Sequence, residues 1–389
     1  MKAIDQGFTN RKKTNKIGRK GKKERCVFMG RQKRRGPKGK GNTKTVVIIV
    51  AILIVLIAGA MFFIASGKEN SKVAPEKQAL INPLTGLEVK SLPARPFILS
   101  TDNDSSAARP QSGLSKADIV YEFPVEGGGS RLEPIYYSKL PGKIGPARSA
   151  RPYFIDMARE YKAVFVHHGW SPAAEKYLKS GVIPHISAFE YNDIFYRSTD
   201  RSSPHNSYIN GKDIQALIKK KGWDEKQKPR SFEFLGKGGT PNGNQVKEVK
   251  VNYIAAKNTY VYDDETGLYG RSVNGAIYTD KETENQITTS NIVVQKVQSK
   301  VLDQKGRLKI DMTTGGKCWL FTQGKVMDGT WSKADLDSPT IYKDSNDVEF
   351  KLTPGNTWIQ VIDGSSSVNY KEIKPETEIT SESGSNGGE

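Results

Sequence analysis

The chain has 389 residues, 60 Lys/Arg against 42 Asp/Glu, a formal charge of +18 and two cysteines. Residues 1–44 hold 17 of the basic residues and two acids, a net +15, so the remaining 345 residues carry only +3. That partition removes charge as a reason to read the folded part as a nucleic-acid binder. Cys26 and Cys318 are too few and too far apart for a disulfide framework, so the core alone must hold the fold.

In chain order, 1–44 reads as a basic, disordered cytoplasmic arm, because it has almost no apolar residues to build a core. Its expected partner is anionic membrane lipid, at about 1 kcal/mol per basic residue near the surface. Nucleic acid is the less favoured partner, since phosphate contacts need only charge.

Residues 45–66 contain VVIIVAILIVLIAGAMFFIA at 46–65, twenty residues without a charge. A helix of that length is about 30 Å long, the thickness of a bilayer's hydrocarbon core. With the positive charge on one flank, this predicts a single-pass transmembrane helix, N-terminus cytoplasmic and the rest extracytoplasmic. A cleaved signal has an apolar core of about 7–15 residues, shorter than this one. No Cys follows the run to carry a lipid. Residues 67–80 read as a polar linker.

From 81 to 228 short apolar runs alternate with helical patterns, which predicts an α/β-type lobe. Strands are expected at 97–101, 117–123, 132–138 and 163–168. Phe154, Met157, Ala158 and Tyr161 recur at helical spacing after Pro152. Ser171-Pro172 opens a second helix and 210–221 forms a third. From 229 to 365 the helical period gives way to alternation, with Asn274-Gly275 a strong hairpin signal and Asp328-Gly329 read as another turn. This half is expected to be an all-β lobe, and 366–389 a disordered acidic tail. The fold class is thus α+β, two lobes on one transmembrane helix.

Chemistry concentrates in one segment. His167, His168, His185 and His205 fall within 39 residues, near Arg148, Arg151, Arg197 and Arg201. His167-His168-Gly169-Trp170 follows a predicted strand and precedes a helix, where α/β folds place ligands and where backbone N–H groups favour anions. Trp170 could stack on a sugar ring. The other reading is that these His and Arg residues only pack, pair or face water. No metal is expected: adjacent His167 and His168 would point to opposite faces, and no metal-binding spacing occurs. No cofactor is expected, and no G-x-S-x-G nucleophile turn is present.

The blocks NPLTGL (82–87), ARPQSGLSKADIVYE (108–122), VEGGGSRL (125–132), GPARSARPYFIDMAREY (145–161) and FYRSTDRSSPHN (195–206) make the chain resemble the YerB-like family of predicted lipoproteins of Gram-positive bacteria. The resemblance spans about residues 81–365 and implies a two-part fold of unknown function. Two departures stand out: a membrane helix and basic arm replace a lipid-carrying Cys, and His168 and Trp170 leave the family pattern. The binding residues expected from the match are therefore Arg148, Arg151, His167, Arg197, His205 and Asn206.

Three functions follow as expectations. The first is a non-enzymatic envelope protein that binds an anionic wall polymer or a wall-synthesis enzyme. The second is an envelope hydrolase or transferase with His167 or His205 as general base, activated by Asp102, Glu122 or Asp200. The third is a structural scaffold.

Overall fold

The computed structural model describes residues 43–66 and 79–373. The basic arm, most of the linker and residues 374–389 lie outside the described residues. The chain divides into two compact units, 1–76 and 77–389.

In the first unit, α1 runs Thr43–Ser66, an unbroken run of good helix formers and β-branched residues, with its apolar side chains exposed from Val47 to Phe63. The described side chains between 47 and 63 span about 25 Å. Among the described residues no helix is long and apolar enough to cross a membrane.

The second unit is mixed and mainly β. Its helices are α2 (Pro152–Glu160), α3 (Pro172–Lys179) and α4 (Gly211–Lys220), all in the first half. Pro152 and Pro172 take first-turn positions, where a missing N–H costs nothing. The Ser171 hydroxyl accepts from Ala174 N at 3.3 Å, and Asn210 caps α4 through Lys212 N at 2.8 Å. After Lys220 the described chain consists of strands and loops. Asn274 (φ 52°) and Gly275 (φ 83°) turn strand Leu268–Val273 into Ala276–Ile277, as a tight hairpin requires.

Two sequence expectations fail for identifiable reasons. Asp328-Gly329 lies inside strand Lys325–Ser332, not at a turn. A Cβ at Gly329 would sit 2.0 Å from Lys343 O, so the glycine admits a neighbouring strand. Strand Ser367–Ile373 occupies the start of the expected disordered tail, pairing with Asn244–Asn252 and setting Val368 and Tyr370 against the core.

Among the described residues seventeen strands join into one sheet. At its centre Thr357–Ile362 lies parallel to Asn291–Lys296 on one side and to Ile119–Pro124 of the first half on the other. Such a strand is covered on both faces, and all six of its residues are buried. Alternate residues feed two cores. Tyr121, Phe123, Ile359 and Val361 face one, and Val120, Trp358 and Ile362 the other. Each core draws on both halves.

Buried charges reinforce this join. Arg271 donates to Glu122 at 2.9 Å, both side chains 0% exposed, and Asn258 and Gln360 donate to the same carboxylate oxygen. Burial alone would raise the Glu122 carboxyl; Arg271 and the hydrogen bonds from Ser130 and Gln360 outweigh it and hold it low. On the other side Glu160 of α2 binds Arg230 at 2.9 Å, Lys333 and Thr340. Glu122 and Glu160 are thus each matched by cations across the halves.

Candidate functional site

The site is built on an extended segment, 145–151, laid between two parts of the first half. Asp102 N donates to Pro146 O (2.8 Å) and Arg148 N to Ser100 O (2.8 Å). On the other side Ala147 N donates to Ser207 O (2.7 Å) and His168 N to Arg148 O (2.9 Å). Gly145 is required here: its φ is +143°, and a Cβ would approach Ser207 O to 2.8 Å. This zippering delivers Arg148 to the end of strand Thr101–Asp102.

Asp102 is the centre. Its Oδ1 accepts from Asp104 N at 3.1 Å, the strand-end turn that Asp-Asn favours. Its Oδ2 lies 2.6 Å from His205 Nδ1 and 3.0 Å from Arg148 Nε. The Asp102 side chain is 0% exposed, while His205 and Arg148 are 20% and 22% exposed. Asp104 takes Arg131 at 2.8 Å and Arg148 at 3.2 Å. Since Asp102 is an acceptor, His205 Nδ1 carries a proton, and its Nε2 is the nitrogen left for other chemistry.

The 198–206 loop, closing the hairpin of Phe195–Arg197 with Ser207–Ile209, completes the site. Asn206 holds it by donating to Ser198 O (3.1 Å) and Arg201 O (3.2 Å), and accepts from Arg197 at 2.8 Å. Arg201 pins it to the 108–110 segment by donating to Ala108 O at 2.6 Å and to Pro110 O. Arg109 donates to Asn103 Oδ1 and O, both 2.8 Å. Among the described residues no carboxylate lies within 4.0 Å of Arg109, Arg197 or Arg201.

His168 links the two parts. Its Nε2 lies 3.3 Å from Arg197 Nη2 and its Nδ1 2.6 Å from Ser207 Oγ. A guanidinium only donates, so Nε2 accepts and Nδ1–H donates to Ser207. Burial, then Arg197 and Arg148, lowers its pKa and favours this neutral form. Beside it stand Phe189, 64% exposed, at 5.5 Å and Phe195 at 6.1 Å, with Trp170 5.2 Å beyond Phe189.

Of the expected residues, Arg148 and His205 meet at Asp102, while Arg197 and Asn206 pair with each other in the adjoining loop. His167 does neither. It is 0% exposed, with Nδ1 2.8 Å from Gly169 O and Nε2 3.2 Å from His185 Nδ1. Burial, then His185, drives its pKa down to about 3, which favours the neutral imidazole. Arg151 is also diverted: it is buried and committed to both oxygens of Glu126 in the Gly127–Gly129 turn, and to Ala150 O. Glu122 and Asp200, the other candidate activators, are bound to Arg271 and Lys281. Of these three carboxylates, only Asp102 contacts a histidine among the described residues. Arg131, Asp104 and Arg109 were missed. The recurring sequence blocks held the signal, because 108–113, 125–132, 145–151 and 195–206 all meet here. Among the described residues no group of three His, Cys, Asp or Glu could hold a metal ion.

Comparison with known proteins places these blocks in context. Residues 84–224 match the family model "Protein of unknown function (DUF3048) N-terminal domain", and 249–359 match its C-terminal domain counterpart. The "Putative lipoprotein YerB" of Bacillus subtilis (strain 168) is 36% identical over 308 residues, 77% of this chain and 92% of that protein. The crystal structure of YerB from Bacillus subtilis superposes with a TM-score of 0.67 at 33% identity, over 75% of this chain and 99% of the other.

Proposed function

The chain belongs to the DUF3048 family of proteins of unknown function, and from that premise we propose a membrane-tethered, extracytoplasmic envelope protein that binds an anionic partner at the Asp102 site. The similarity to a lipoprotein supports the location. The apolar run 46–65, read from the sequence, is the segment that would take the role of the lipid and span the membrane once, with the basic arm on the cytoplasmic side and in contact with anionic lipid. Protease treatment of intact protoplasts should digest a tag at the C-terminus and spare one at the N-terminus; the reverse pattern overturns the location.

The observation that carries the binding reading is the excess of guanidinium over carboxylate. Asp102 and Asp104 are matched by Arg148 and Arg131, whereas Arg109, Arg197 and Arg201 bind only neutral acceptors. Surplus positive charge on loops held in place by hydrogen bonds favours an anion, and Arg197 is exposed to meet it. The ligand is an anionic wall polymer or the acidic surface of a wall-synthesis enzyme. Full-length protein in lipid nanodiscs should sediment with purified walls and with isolated anionic wall polymer, and Arg197→Ala should weaken this about tenfold, roughly one charged contact. Equal sedimentation by the variant removes the site from the reading and leaves the scaffold role.

One observation favours a second reading, an envelope hydrolase or transferase. A fully buried carboxylate 2.6 Å from Nδ1 of a partly exposed imidazole orients Nε2 as a general base. Mass spectrometry of wall fragments incubated with the protein, and their survival with His205→Ala, decides it.

A further inference from the structure

We propose that a second site, a polar cleft between the two halves, binds a carbohydrate of one to two rings, independently of the Asp102 site. The cleft has a volume of about 410 Å³, within the usual range for small-ligand sites, and sites of this kind favour junctions between domains. Residues 85–89, 115–118 and 138–139 form one wall and 286–290 and 354–356 the other.

Its walls are fixed. Asp280 of the second half accepts from Gly113 N (3.2 Å) and Ser115 N (2.8 Å), holding the turn that carries Lys116. Gly355 N donates to Thr85 O (2.8 Å) and Thr357 N to Asp118 O (3.2 Å). Buried Asp118 accepts from Asn82 Nδ2 (2.9 Å), Tyr137 N (2.6 Å) and Ser138 N (2.9 Å), which secures the floor below Lys139. Bonds therefore cross the cleft at three places and keep it open without a ligand, so little ordering cost falls on binding.

The lining selects the ligand. Lys116 and Lys139 offer donors and have no carboxylate within 4.0 Å among the described residues. Glu88 and the Gln286 carbonyl offer acceptors, with one of the two Gln286 amide protons already donated to Arg271 O at 2.9 Å. Ser115 and Thr288 hydroxyls can do either. A bare phosphate would meet Glu88 as a like charge, and an apolar ligand would leave six polar groups without partners. A sugar, whose hydroxyls donate and accept in turn, satisfies both kinds.

Ligand-observed saturation-transfer NMR on the full chain in nanodiscs tests this. The probes are N-acetylglucosamine, its β1,4-linked disaccharide, glucose and inorganic phosphate. At least one sugar should show transfer and phosphate no specific binding. Lys116→Ala with Lys139→Ala should cut sugar affinity about tenfold, the scale of one or two lost hydrogen bonds. Both lysines are exposed and the fold should survive, which an unchanged melting curve verifies. Arg197→Ala should leave the sugar signal intact, separating this site from the Asp102 one. Absence of transfer from every sugar at millimolar concentration, or transfer unchanged in the double variant, overturns the proposal.

Discussion

Glu122 and Arg271 stand 149 positions apart in sequence and form a fully buried ion pair at 2.9 Å, one partner from each half of the fold. Arg271 also bonds Tyr260 at 2.6 Å and lies over the Trp358 ring at 4.1 Å, so its charge is enclosed by the second core. Removing one partner strands the other without water. Arg271→Met should therefore cost about 3–5 kcal/mol in urea unfolding, and adding Glu122→Gln should recover much of the loss.

The same pair predicts an acid limb. The Glu122 carboxyl is held below its ordinary value in the folded state, so its stabilisation is complete above the unfolded pKa. It disappears as pH falls through the folded value, because the unfolded chain takes up the proton first. Unfolding midpoints against pH should fall below about pH 4.5 in the native chain. They should fall less in the Glu122→Gln, Arg271→Met double variant.

His167 gives a second, separable pH dependence. Its folded pKa near 3 lies below the ordinary value of 6.5, so the folded state resists protonation while the unfolded chain accepts it. Stability is full above about pH 6.5 and declines toward pH 3. His167→Gln, which keeps a polar side chain beside Gly169 and His185, should flatten the decline between those limits. The pH profile of the thermal midpoint is the measurement; an unchanged slope would show that His167 does not titrate there.

At the candidate site, Asp102→Asn should remove the carboxylate that accepts from His205 and pairs electrostatically with Arg148. The proton of His205 Nδ1, held by a buried carboxylate, should give a far-downfield NMR resonance that is lost in the variant. The fold should lose about 2–4 kcal/mol because Arg148 loses a charged partner. His205→Ala should abolish the same resonance at a smaller cost, since the histidine is partly exposed.

Gly329→Ala tests the tight strand packing. Its Cβ would meet Lys343 O at 2.0 Å and the Phe350 ring at 2.8 Å. A cost of about 1–3 kcal/mol is expected from overpacking, seen as a lower urea midpoint.

Local rules read directly from the sequence wherever the cause is local. Ser171, Pro172, Asn210 and the Asn274-Gly275 pair act on neighbours a few residues away, and each does what its chemistry dictates. What resisted reading was long-range. Nothing in TWIQVI states that it will lie against IVYEFP, because a strand buried on both faces shows no polar/apolar alternation to announce its neighbours, and Gln360 does not reveal that its partner is Glu122. Arg151 and Arg148 sit three residues apart in one motif, yet Glu126 captures the first and Asp102 the second. His167 was singled out by type and place, but its 0% exposure comes from Phe165, Trp170 and His185 packing around it.

The central position of Thr357–Ile362 bears on how the molecule is made. A polypeptide emerging N-terminus first cannot finish its opening half until residue 362 has appeared, since that strand supplies the neighbour of Ile119–Pro124. The first half therefore lacks one of its sheet neighbours until most of the chain has been made. A nonsense mutation anywhere before that strand should then be as damaging as an early one, because each such product lacks the neighbour of Ile119–Pro124.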